Sequence, residues 1–162
     1  MKHTAAPFTT PKYVMAKPAG PLCNLDCKYC YYTEKSALLG KSAKLIHMSD
    51  ELLEEYIRQY IAIQPGAVLF TWHGGEPLLR SRDFYEKVLT LQRKYANGKQ
   101  IDNSIQTNGT LITDDWAKFL VDNHFLVGVS IHGPQDLHDT YRLSRSGQSS
   151  WTQVMQAIEI PN

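Results

Sequence analysis

The feature that most constrains the fold is a near-continuous apolar run, Ala67-Val68-Leu69-Phe70-Thr71-Trp72. A strand with one wet face alternates apolar and polar side chains. A strand that does not alternate is covered on both faces, as in a parallel sheet. The flanking segments agree with that reading. Ser49 or Asp50 opens a helix in which Leu52, Leu53, Tyr56, Ile57, Tyr60 and Ile61 recur at helical spacing, and Pro65-Gly66 closes it. A second helix is expected over 82–96, with Phe84, Val88, Leu91 and Tyr95 on one stripe and Asn97-Gly98 at its end. Residues 101–106 and 125–131 read as further strands, and 13–16 as a short first one, stopped by Pro18 and Gly20-Pro21. Thr113 caps a helix carrying Asp114 and Asp115 in its first turn and Trp116, Phe119 and Leu120 inward. Ser150 with Gln153 has the form of a capping box for one more. Residues 1–12 read as a flexible leader, and 33–48 as a long polar loop with some helix. Strands and helices alternating at this rhythm predict right-handed βαβ units on a parallel sheet, with chemistry at the carboxyl ends of the strands.

The second constraint is chemical. The chain has three cysteines, all in the stretch Cys23-Asn24-Leu25-Asp26-Cys27-Lys28-Tyr29-Cys30. They lie too close together to staple a core, and an odd number leaves one unpaired. Three thiolates on one short loop can instead converge on a metal centre. A four-iron cubane takes one thiolate per iron, so three leave one iron open to a further ligand. A zinc knob completed by His47 or His73 is the competing reading, although the usual paired zinc spacing is absent.

Composition narrows the remaining classes. Of 162 residues, 43% are hydrophobic and 20% charged, as in an ordinary globular domain. A formal net charge of +1 gives no general attraction to nucleic acid or anionic membranes. The apolar runs are strand length, too short to span a bilayer, and no hydrophobic signal core precedes them. The expected compartment is the cytoplasm, where thiols stay reduced.

Cys-x3-Cys-x2-Cys, with Tyr29 before the last cysteine, resembles the cluster loop of radical S-adenosylmethionine enzymes. Downstream stand Thr71-Trp72-His73-Gly74-Gly75-Glu76-Pro77, Gln106-Thr107-Asn108-Gly109-Thr110, Ser130-Ile131-His132-Gly133-Pro134 and His138-Asp139-Thr140-Tyr141-Arg142. Their order is similar to that of the anaerobic sulfatase-maturating enzymes, from about residue 13 onward. The resemblance implies the first half of a partial (β/α)6 TIM-like barrel over 13–162. It also implies a [4Fe-4S] cluster on Cys23, Cys27 and Cys30, with S-adenosylmethionine on its open iron, cleaved to a 5′-deoxyadenosyl radical. Tyr29 would then touch the adenine side. The peptides of Gly74 and Gly75 would meet the methionine ammonium, with the charge of Glu76 nearby. Gln106 would bond near substrate or cofactor, Ser130 would bond the ribose, and Arg142 would grip the methionine carboxylate. The implied partners are a sulfatase polypeptide, whose cysteine or serine becomes formylglycine, and an electron donor of flavodoxin or ferredoxin type.

Two departures from the family pattern stand out. His132 occupies the position where the family usually shows aspartate. The family's chains also run well over twice this length, adding further barrel units and a domain with auxiliary clusters. The expectation is therefore a truncated core with an exposed strand edge, poorly stable alone or paired with itself or a partner. The alternative expectation is a non-catalytic remnant or accessory protein that keeps the cluster loop.

Overall fold

The computed structural model describes residues 12–32 and 47–160. The leader and the rim loop expected at 33–48 therefore fall almost wholly outside the described residues. A four-stranded sheet has the order β1 (Met15–Ala16), β2 (Val68–Trp72), β3 (Ile101–Thr107), β4 (Phe125–Val129). All three pairings are parallel, aligning Ala16 with Trp72, Trp72 with Ile105 and Thr107 with Val129. Between and after the strands run α1 (Asp50–Ile63), a 3-10 turn (Pro77–Leu79), α2 (Arg82–Tyr95), α3 (Asp114–Asp122), α4 (Gln135–Tyr141) and α5 (Trp151–Glu159). No described helix is long and apolar enough to cross a membrane.

The helix boundaries follow from their ends. The Ser49 side chain accepts the Leu52 N–H at 3.2 Å, and Asp50 and Glu51 sit in the positive first turn of α1. Thr113 does the same for α3 through the Trp116 N–H. After α2 the chain turns through Asn97 and Gly98, both left-handed, with φ of 47° and 77°. The helix stripes pack on one sheet face, where Phe70, Trp72, Tyr85, Ile57 and Leu53 are fully buried. Trp72 is the hub, in edge contact with Tyr56, Phe84 and Tyr85 and stacked on Phe70. Its indole N–H donates to Asn103 Oδ1 at 2.9 Å, and Asn103 exchanges amide hydrogen bonds with Gln92. The indole and the two amides are thus paired, as buried polar groups generally are, whereas the buried Tyr56 hydroxyl has no partner among the described residues.

Three expectations are corrected. Leu52 is 56% exposed. The buried stripe of α1 is Leu53, Ile57, Tyr60 and Ile61, and Leu52 lies one position off it. Ser150 does not cap α5. Its hydroxyl donates to the Arg142 carbonyl at 2.7 Å and meets His138 Nε2 at 2.9 Å. The Trp151 N–H goes to Asp139 and Ser149 instead. Helix α4 was not expected at all. Leu137 and Tyr141 are exposed and only His138 is buried, so the segment carries no apolar stripe to read.

Candidate active site

A cavity of about 230 Å³ opens where the strands end. Its walls include Cys23, Cys27 and Cys30 together with Tyr29, Gly74, Gly75, Gln106, Ser130 and Arg142. Every site residue expected from the sequence therefore meets in one place, except Glu76. Each strand delivers its motif through a short exit: β2 through His73-Gly74-Gly75, β3 through Asn108, β4 through Ser130.

The cysteine loop is laid across these exits by backbone hydrogen bonds. Gly75 N–H donates to the Gly20 carbonyl at 2.9 Å and Glu76 N–H to the Leu22 carbonyl at 2.7 Å. A Cβ on Gly75 would sit 2.0 Å from the Leu22 oxygen, so only glycine fits. On the other side Asp26 N–H donates to the Leu143 carbonyl and Lys28 N–H to that of Tyr141. Two distant segments thus hold one loop.

Glu76 is fully buried, and its carboxylate turns into the fold. One oxygen accepts the Leu78 N–H and the Thr107 hydroxyl, at 2.9 and 2.8 Å. The other accepts the Asn108 N–H at 2.7 Å. Burial pushes this carboxyl above its ordinary range, while these three donors and Arg142 pull the other way. Both oxygens face backbone N–H groups that can only donate, so the ionised form fits the site. Glu76 ties the β2 exit to the β3 exit.

Arg142 is 6% exposed, and its guanidinium donates to the Tyr29 hydroxyl. Among the described residues its Nε has no partner and no carboxylate lies within ion-pair distance. A buried cation that lines a cavity with no carboxylate beside it is a receptor for an anion. Gln106 Nε2 donates to the Ser130 hydroxyl at 3.1 Å. Gly128 makes room for that amide, since a Cβ there would lie 2.3 Å from Gln106 Oε1. His132, standing for the family's aspartate, lies against the Tyr29 ring with centroids 5.0 Å apart.

The thiols sit in a mixed field. Burial pushes Cys23 and Cys27 up, and the positive charge of Arg142 opposes this at Cys27. Among the described residues no three His, Cys, Asp or Glu side chains are placed to hold a single metal ion. A lone zinc draws its thiolates onto one atom. A cubane spreads them over different irons and asks for wider spacing. Three thiols of one loop lining one cavity are a donor set that fits the cluster, and Arg142 on the same wall fits an anionic ligand beside it.

A parallel sheet with three cysteines and an arginine at its carboxyl end defines the class, and the comparisons name it. Residues 18–160 match the radical SAM superfamily, and the chain belongs to it. It is 56% identical over 158 residues to the serine-type anaerobic sulfatase-maturating enzyme of Bacteroides thetaiotaomicron, covering 97% of this chain and 38% of the relative. It is 41% identical to the cysteine-type enzyme of Clostridium perfringens (strain 13 / Type A), covering 93% of this chain and 40% of that one. The solved structure of native anSMEcpe with bound AdoMet and Cp18Cys peptide superposes with a TM-score of 0.79 at 40% identity, covering 89% of this chain and 38% of that chain. The chain thus spans about two fifths of the length of these relatives. The partial TIM-like barrel is the right architecture for the sheet described above.

Sequence reasoning missed Asn24, Asn108 and Thr110, which link the cysteine loop to the β3 exit, and His138, which Ser150 joins to the Arg142 carbonyl. Asn108-Gly109 carried only a turn signal.

Proposed function

We propose that this chain carries the cluster and nucleotide site of a sulfatase-maturating radical SAM protein. Cys23, Cys27 and Cys30 hold a [4Fe-4S] cluster, and S-adenosylmethionine occupies the cavity beside it. When bound, the pair supplies one-electron chemistry that removes a hydrogen atom from the side-chain β-carbon of a cysteine or serine. The chain's own residues bind and orient. Arg142, on the cavity wall with its guanidinium braced by Tyr29, supplies the positive charge that meets the methionine carboxylate. The Gly74-Gly75 exit brings backbone within reach of the amino group. Ser130, aligned by Gln106, faces the ribose. Glu76 fixes the exits to each other and so sets the distance between cysteines and arginine.

The observation that carries this reading is the sharing of one cavity by the three thiols and a buried arginine with no described carboxylate at ion-pair distance. Similarity to serine- and cysteine-type maturases supports a sulfatase peptide as substrate. A flavodoxin- or ferredoxin-like electron donor belongs to the same proposal. So does self-association through β4, whose Leu126 is 72% exposed and whose strand neighbour among the described residues is β3 alone. Light scattering tests that last point, and a cooperative, strictly monomeric chain contradicts it.

Anaerobic reconstitution with iron and sulfide tests the centre. About four irons per chain with broad visible absorption is expected, and none after alanine replacement of the three cysteines. Stoichiometric zinc without iron overturns the reading. Release of 5′-deoxyadenosine from S-adenosylmethionine under dithionite then shows that the nucleotide site works.

A further inference from the structure

The Cys23 sulfur is met from outside its own loop by an amide whose orientation is fixed by its neighbours. The Thr110 N–H donates to Asn108 Oδ1 at 2.9 Å, and a backbone N–H can only donate. The oxygen of the Asn108 carboxamide must therefore face Thr110. The Thr110 hydroxyl donates to the same oxygen at 2.7 Å, which leaves its lone pairs for Asn24 Nδ2 at 2.8 Å. Asn24 Oδ1 is then the acceptor turned toward Asn108 Nδ2, at 2.8 Å. The ring of hydrogen bonds closes in one direction only. Asn108 Nδ2 keeps one more hydrogen, and Cys23 Sγ lies 3.6 Å away. The Leu25 N–H reaches the same sulfur at 3.4 Å. Asn108 is 6% exposed, and Glu76 holds its backbone N–H.

Hydrogen bonds to a ligating sulfur stabilise the more negative, reduced state of a cluster and raise its potential. We propose that Asn108 is a positioning residue for the cluster. Its amide, keyed by Asn24 and Thr110, donates to the Cys23 thiolate together with the Leu25 N–H and sets the ease of reduction of the bound cluster. The inference rests on Cys23 being a cluster ligand, as proposed above.

The test is a reductive titration of the anaerobically reconstituted protein, followed by the paramagnetic signal of the reduced cluster. Asn108→Ala is expected to bind iron as wild type does, with its midpoint moved to more negative potential. The expected size is about a tenfold fall in the reduced-to-oxidised ratio at fixed ambient potential, or about 59 mV for one electron. Thr110→Val keeps the Asn108 amide and the backbone N–H but removes the hydroxyl that keys them, so it shifts the midpoint the same way by less. Because Thr110 acts through Asn108, the double variant is expected to match Asn108→Ala alone. An unchanged midpoint in Asn108→Ala, or full additivity in the double variant, overturns the proposal. If Asn108→Ala takes up no iron, Thr110→Val decides by itself: a negative shift supports the proposal and no shift overturns it. A wild-type protein that binds no iron removes the cluster reading and this inference with it, whereas a loaded wild type with indifferent variants removes the inference alone.

Discussion

The helix-covered face of β2 and β3 and the carboxyl ends of these strands are built on different principles. Toward the helices, Phe70, Trp72, Tyr85 and Phe84 meet at ring-centroid distances of 5.2 to 6.2 Å. Each ring has several neighbours, and the attraction between apolar surfaces has no direction. Toward the cavity, position depends on a few hydrogen bonds of assigned direction: Glu76 to three donors, Asn108 to Cys23, Arg142 to Tyr29. Among the described residues, buried atoms without partners occur on both sides: Arg142 Nε and His138 Nδ1 here, and the Tyr56 hydroxyl among the rings. The first region sets whether the chain folds, and the second sets what it can hold.

The largest effect is expected in the core. Trp72→Ala removes the hub and leaves Asn103 without its indole donor. Its expected cost is about 3–5 kcal/mol, read from the urea midpoint. Cys30→Ala, at the half-buried mouth, is expected to cost about 1 kcal/mol or less while abolishing iron uptake. Comparable losses of stability in both variants would break the division between the regions.

Glu76 stands on the border and should fail on both counts. In Glu76→Gln one amide nitrogen must face a backbone N–H, of Leu78 or of Asn108, and neither can turn away. The expected loss is about 1.5–3 kcal/mol, the range for hydrogen bonds to a charged group. Iron uptake should fall in the same variant, because the exits that seat the cysteine loop come apart. A variant that unfolds more easily yet reconstitutes fully would sharpen the comparison by confining Glu76 to the core side.

A smaller and pH-dependent effect belongs to His138. Its Nε2 faces the Ser150 hydroxyl, whose single hydrogen goes to the Arg142 carbonyl, so Nε2 donates and Nδ1 bears the lone pair. Protonation would put a second N–H where no acceptor lies. Burial and then Arg142 hold its pKa below the ordinary range, with His132 adding slightly and Asp139 opposing. Between that lowered value and about 6.5, the unfolded chain binds the extra proton and the folded one does not. Stability should therefore decline as pH falls below about 6.5, by at most about 1.4 kcal/mol per pH unit for one proton. His138→Gln should flatten that slope, and an unchanged slope assigns the proton elsewhere.

The same contrast explains what was legible in the sequence. Buried faces repeat, so Leu53, Ile57, Phe84, Val88 and the run into Trp72 announced themselves by spacing. The cysteine loop and Arg142 were legible as motifs because ligand chemistry restricts residue type. Long-range polar pairing leaves no local pattern. Nothing near Asn108 in the chain points to Asn24 or Cys23, and nothing near Ser150 says that it serves Arg142 rather than its own helix. The Glu76 motif, at a strand end, points to a charge near the ligand, whereas the structure turns its carboxylate to donors inside the fold.

The smallest effect is expected where the geometry is tidiest. Arg58 forks onto Glu55 through Nε at 2.9 Å and Nη2 at 2.6 Å on the exposed face of α1. Arg58 and Gln59 hold the Glu55 carboxyl down to about 2. A lowered carboxylate pKa means stability that is present above the unfolded value and lost in acid. Here water and salt already screen the charges, and fixing two long side chains offsets much of the attraction. Glu55→Gln should leave the urea midpoint unmoved at 0.15 M salt. A clear drop would mean that surface pairs carry stability alongside the aromatic core, and the contrast between the two regions would need a third term.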